Sequence, residues 1–199
     1  MTANAEELEL KDRLSLIETM ITEGRRTTGR YGWVFVLWGV AYYIAIAWAS
    51  IGPDYLAWPI TMTVSAALTG IIFGSKCRKR PKTTISRAMA SIWIAMGISM
   101  FVLFTALGWS GKLADNHIFI AIAAAMLGTA NATSSMTLKW KLQFVCALIW
   151  WVTAAVSCFG SASQSSMTFL VAIFLCQIVF GIYLIITEAS QRGKAALHA

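Results

Sequence analysis

Residues 55–109 read as three blocks: YLAWPITMTVSAALTGIIFG (55–74), SKCRKRPKTTISR (75–87) and AMASIWIAMGISMFVLFTALGW (88–109). The outer blocks are apolar runs of bilayer length, since about 20 residues of helix cross the hydrocarbon core. The middle block carries Lys76, Arg78, Lys79, Arg80, Lys82 and Arg87 and no acidic residue. Short loops rich in Lys and Arg stay on the cytoplasmic side. The stretch therefore predicts two membrane helices joined by a cytoplasmic loop, whose six cations are candidates for contact with anionic lipid headgroups.

Four further runs have the same character: 31–51, 117–137, 142–160 and 167–187. Strands of a membrane barrel would be shorter and alternate in polarity. The composition agrees: the 199 residues are 58% hydrophobic and only 13% charged, roughly half the charge of an ordinary globular domain, and mean hydropathy is +0.67. The predicted fold class is an all-α membrane protein of six transmembrane helices, with a weak suggestion of three helical hairpins. Its parts are a cytoplasmic amphipathic helix (1–30), a transmembrane domain (31–188) and a cytoplasmic tail (189–199).

The net charge of +7 raises the question of nucleic acid. The cations flank apolar runs instead of lining one face, so they read as orientation signals and no nucleic-acid partner is expected. With the N-terminus inside, five cations precede the first span, six lie in 76–87, two are Lys139 and Lys141, and two are Arg192 and Lys194. Of the sixteen, Lys112 alone then falls outside. Both termini are predicted to be cytoplasmic, in a bacterial inner membrane. Trp48, Trp58 and Trp109 fall at the outer boundary and Trp33 and Trp140 at the inner one, as interfacial indoles prefer. The first 30 residues mix acids and bases and lack a compact apolar core, which predicts a retained N-terminus, not a signal peptide.

That N-terminal segment has one apolar stripe. Leu10, Leu14, Ile17 and Ile21 follow spacings of four, three and four, which places them on one helix face. Glu7 with Lys11 and Glu9 with Arg13 are favourable i,i+4 pairs. The stripe predicts a cover: the membrane surface or the protein's own loops, or else a partner protein or a second copy.

Inside the spans, small residues mark close helix contacts, because lipid offers no hydrophobic drive for association. Three ladders are present: Ala41, Ala45 and Ala49; Ala66, Gly70 and Gly74; Ala124, Gly128 and Ala132. All three are expected to pack within the chain.

Candidate chemistry is sparse. No Asp, Glu, Lys or Arg lies in the core of a span, whereas proton-coupled transporters usually keep one there. His117 and His198 are the two histidines, and they fall on opposite sides of the membrane, so neither a metal nor a haem is expected and no cofactor is assigned. His117 reads as a solvated helix start capped by Asn116 or Asp115. Met89, Met96 and Met100 share a face and read as packing. Cys146, Cys158 and Cys176 read as small buried hydrophobes, while Cys77, between Lys76 and Arg78, is the one with a thiolate-favouring setting. The polar residues of interest are Thr129, Asn131, Thr133, Ser134 and Ser135 in the fourth run and Gln177 in the sixth. Of these, Thr129, Asn131, Ser135 and Gln177 are candidates for interhelical hydrogen bonds or for the lining of a solute path, with Thr153 as a shared partner.

The segments LSLIETMITEGRRTTGRYGWVFVLWG, WPITMTVSAALTGIIFGSKCRKR and SRAMASIWIAMGISMFVLF together resemble uncharacterised bacterial six-span inner-membrane proteins. In those, a short LxLIxxMI helix precedes an aromatic first span and a second span ends in Gly and a basic loop. The resemblance implies the six-span layout and the bacterial membrane, and it carries over no catalytic or binding residue. The function expected is a non-enzymatic accessory or regulatory membrane subunit, with lipids and a membrane-protein partner or a homo-oligomer as its contacts. The alternative is a small oligomeric channel or transporter for a neutral or apolar solute.

Overall fold

The computed structural model describes residues 2–29, 31–52, 54–77, 84–110 and 116–197. Among these every regular element is helical: α1 (Thr2–Gly29), α2 (Gly32–Ile51), α3 (Asp54–Cys77), α4 (Thr84–Trp109), α5 (Asn116–Leu138), α6 (Lys141–Phe159), α7 (Ala162–Ile173) and α8 (Phe180–Leu197). A π-helical turn, Phe174–Val179, joins α7 to α8, and Ala162–Gln191 runs as one continuous rod. Each of the six apolar runs lies in a helix.

Five of these helices are long and apolar enough to cross a membrane: α2, α4, α5, α6 and the Ala162–Gln191 rod. α3 differs. Its apolar run, 55–74, is of bilayer length in the sequence, and Leu56–Ile72 is the part of it whose surroundings are described. Thr61, Thr63, Ser65 and Thr69 dilute it, and Ser65 and Thr69 turn their hydroxyls back onto the carbonyls of Thr61 and Ser65.

α5 and α6 form the most extensive pairing, a tight antiparallel hairpin turned by Lys139 and Trp140. Lys139 adopts the left-handed conformation (φ 50°). Trp140 N–H then bonds Ser135 O at 2.9 Å and Lys139 N–H bonds Met136 O at 3.3 Å, the paired bonds that close a helix C-terminus. Gly128 sets the register: a Cβ there would lie 2.6 Å from Trp151 Nε1, so residues equidistant from the Lys139–Trp140 turn lie level. Ala124 and Ala132 on the same ladder are buried too.

α2 lies against α3, α7, the π turn and α8. Its close crossing is made of glycines, with Gly32 and Gly39 against Gly181 and Gln177, and Ala41 and Ala45 extend it as buried positions. Aromatic edges complete the core. Phe35 meets Phe180 and Trp93 edge-on at 5.3 Å each, and Phe119 holds Trp58 of α3 at 4.6 Å and Phe104 of α4 at 4.8 Å.

The second small-residue ladder departs from expectation. Ala66 is exposed, and Gly70 is exposed with no atom within 4 Å of where its Cβ would be. Gly74 lies where side-chain surroundings are not described. α3 turns its threonine–serine side, Thr61 and Ser65, toward the chain and its Ala66–Gly70 side away. Met89 is buried, and Met96 and Met100 pack against the aromatic core.

Candidate functional site

α1 docks by one end only. Gly24 is buried, and a Cβ there would lie 2.6 Å from Ile85 Cγ2 of α4 and 2.8 Å from Leu138 Cδ2 of α5. Arg25 beside it donates from Nε to Leu138 O at 2.7 Å and from Nη2 to Lys139 O. Those carbonyls end α5, where a cation is favoured by the helix dipole and by unfilled acceptors. The face that docks at Gly24 continues outward with Ile21 half-buried and then Ile17, Leu14 and Leu10 exposed at 50%, 53% and 59%. Glu7–Lys11 and Glu9–Arg13 form the i,i+4 ion pairs expected on the polar side.

Of the basic loop, Arg87 is exposed near the start of α4. Arg78, Lys79, Arg80 and Lys82 lie outside the described residues, as do the side chains of Lys76 and Cys77.

The polar residues of the spans separate into three groups. Thr129 is exposed and bonds Ala125 O of its own helix at 2.9 Å. Ser135 bonds Trp140 O at 2.9 Å and so belongs to the hairpin turn. Asn131 is fully buried, its Nδ2 on Leu127 O at 2.9 Å and its Oδ1 without a partner. Gln177 is buried in the π turn against Gly39 of α2. The two amides are not bonded to each other, and Thr153 turns to Ile149 O at 3.0 Å instead of bridging them.

Two residues join this set that the sequence reading did not single out. Gln143 is fully buried with neither amide atom bonded, and the Trp150 indole N–H is fully buried and unbonded. Ser134 Oγ is a further buried atom without a partner, although Thr129, Thr133 and Thr137 beside it all bond back along α5. Gln143, Cys146, Ala147 and Trp150 recur at helical spacing on one buried face of α6, a signal legible in the sequence. Across from that face, Cys176 Sγ of the π turn donates to Cys146 O at 3.6 Å, and Trp150 meets Phe169 of α7 at 5.9 Å.

At the far end of the hairpin, His117 is a clasp, not a solvated helix start. Its Nδ1 lies 3.1 Å from Ser157 O and 3.0 Å from Ser165 Oγ. A carbonyl only accepts, so Nδ1 carries a proton toward Ser157, and Ser165 passes its own to Ser161 O at 3.1 Å. Three helices are tied in this way, and Ser161 with Gln164 caps the third by reciprocal bonds. The surface hollow beside it, lined by Val156, Phe159, Gly160, Gln164, Met167 and Thr168, is open and mostly apolar.

Family models, curated proteins and solved structures return no match to the chain. The arrangement is therefore judged on its own chemistry. It offers two features: a projecting apolar helix face at the α1 end, and an uncharged group of buried donors and acceptors on α5 and α6. Among the described residues no three His, Cys, Asp or Glu side chains come together as metal ligands.

Proposed function

We propose that the chain is a non-enzymatic membrane protein that acts as an accessory or regulatory subunit, meeting its partner through the exposed face of α1. The observation that carries this reading is the continuation of one helix face from a buried dock at Gly24 to the exposed Ile17, Leu14 and Leu10. Charge favours a protein cover over lipid. Residues 2–24 hold six acidic side chains and two basic ones, whereas helices that lie on anionic membranes carry Lys and Arg on their polar face. In this reading α3 crosses as a sixth span beside α2, both termini are cytoplasmic, the basic segment 76–87 sits on the same side as α1, and the membrane is a bacterial inner membrane of the kind named by the resemblance.

Affinity capture of the full chain in mild detergent tests it. Leu14→Glu with Ile17→Glu should remove a co-purifying membrane protein while the spans still insert. Recovery of the same proteins by both forms would overturn the reading.

A second reading, a small channel or transporter for a neutral solute, is favoured by a different observation: the unbonded polar atoms of Asn131, Gln143 and Trp150. Flux of a neutral solute into proteoliposomes is its test, and flux equal to that of empty vesicles would reject it.

A further inference from the structure

The α5–α6 hairpin concentrates five buried polar atoms without partners: Asn131 Oδ1, Ser134 Oγ, Gln143 Oε1 and Nε2, and Trp150 Nε1. Buried polar groups in native proteins are overwhelmingly bonded, to protein or to ordered water. In hydrocarbon an unbonded one is costlier still, since no solvent is at hand. A scatter of single orphans would need no common cause. These four residues sit on two adjoining helices.

Their heights follow from the register that Gly128 and Trp151 set. Trp150 is level with Thr129, two residues or about 3 Å from the level of Asn131. Gln143 is level with Met136, so the group spans about 10 Å along the hairpin. On α6, Gln143 and Trp150 are seven residues apart on one face, with Cys146 between them. Opposite Cys146 stands Cys176 of the π turn. Single π turns inside α-helices are frequent at functional sites.

We propose that this buried polar seam of the α5–α6 hairpin binds small uncharged molecules that both donate and accept hydrogen bonds. The inventory sets the class. Trp150 N–H and the Gln143 NH2 only donate, Asn131 Oδ1 and Gln143 Oε1 only accept, and Ser134 Oγ does both. A cation would face the two N–H groups and an anion the two carbonyls, with no formal charge among the four residues to offset either. Water meets the requirement, and so does a small neutral amide. The inference rests on the neutral-solute reading for its purpose, but not for its existence, because a resident water would satisfy the same atoms.

The test uses the full-length chain in detergent, with the tryptophan indole nitrogens labelled with nitrogen-15 and Trp150→Phe to assign the Trp150 signal. Acetamide is the probe. An occupied site gives a cross-peak from the Trp150 indole proton to water, or to the acetamide methyl when the probe displaces it. The first result identifies resident water and the second a site for neutral amides. Gln143→Leu should weaken that cross-peak and lower the melting temperature by about 2–4 °C, because it strips an occupant of two bonds. A Trp150 indole with no cross-peak to water or probe, together with a raised melting temperature in Gln143→Leu, would show a dry seam and overturn the proposal. Site occupancy without flux into proteoliposomes would leave the site standing and remove the channel reading alone.

Discussion

α4 and α5 are neighbours of similar length and opposite fate. α4 is the more apolar, with a mean hydropathy of 2.0 against 1.4 over the best window, yet none of that window is buried, while 56% of the α5 window is. Met89 is the buried residue of α4, whereas α5 buries Gly128, Asn131, Ser134, Ser135 and four alanines among others. In water the order would be reversed. In lipid, Leu and Ile gain nothing by leaving hydrocarbon, so burial goes to the helix whose small residues let backbones approach and whose polar residues need company. The difference teaches that in this chain hydropathy reports which segments enter the membrane, and small and polar residues report which of them form the core.

The largest expected effect probes that contrast with one substitution made twice. Gly128→Leu drives a side chain into Trp151 and should destabilise by about 3 kcal/mol, the upper end of overpacking. Gly97→Leu on α4 meets open space and should stay within about 0.5 kcal/mol. Equal losses in thermal unfolding would break the comparison.

Arg25 tests how α4 is held, since α4 packs mainly on α5 and α1, with Trp93 also reaching Phe35 of α2. Arg25→Ala removes the bonds to Leu138 O and Lys139 O and should cost about 1–2 kcal/mol, less than a fully buried charged bond because Arg25 is exposed. Protease cleavage within α1 and near the start of α4 should rise together. Faster cleavage in α1 alone would mean that α4 does not depend on this dock.

Asn131→Ala removes the bond to Leu127 O and should cost about 0.5–1.5 kcal/mol, the usual net worth of one hydrogen bond, and Ser99→Ala on the exposed side of α4 close to nothing. Indistinguishable melting of the two variants would separate the polar residues of α5 from its packing. The last effect is a gain: Lys139→Gly relieves the left-handed residue at the hairpin turn and should stabilise by up to about 1 kcal/mol. A loss there would show that the Lys139 side chain contributes more than its backbone strain costs.

Much of the architecture was legible because it depends on local pattern. The apolar runs marked the helices to within about five residues, apart from the last, which continues to Leu197, ten residues past its run, and the Ala124–Gly128–Ala132 spacing marked the packed face of α5. What was missed depends on partners distant in the chain. The spacing Ala66–Gly70 says that a close approach is feasible, not that a neighbour is present, and in α3 that side faces outward. His117 looked like a solvated helix start because Ser157 and Ser165 reach it from 40 and 48 residues away. Asn131 and Gln177 were both seen, but the level of Gln143 and Trp150 relative to Asn131 hangs on the hairpin register that Gly128 sets. The π turn carries no pattern that hydropathy or spacing detects. On α1 the stripe was readable in full, and its docking at Gly24 was not, since a glycine gives no sign of what lies against it.

The account depends most on α3, whose crossing in the proposed layout would put α1 and segment 76–87 on one side. Reporter fusions at residues 80, 113 and 163 measure this directly. Six crossings from a cytoplasmic N-terminus require a cytoplasmic signal at 80 and periplasmic signals at 113 and 163. A periplasmic signal at 80 would mean that α3 does not cross, and it would part the basic segment from α1 and contradict the layout on which the proposed association surface rests.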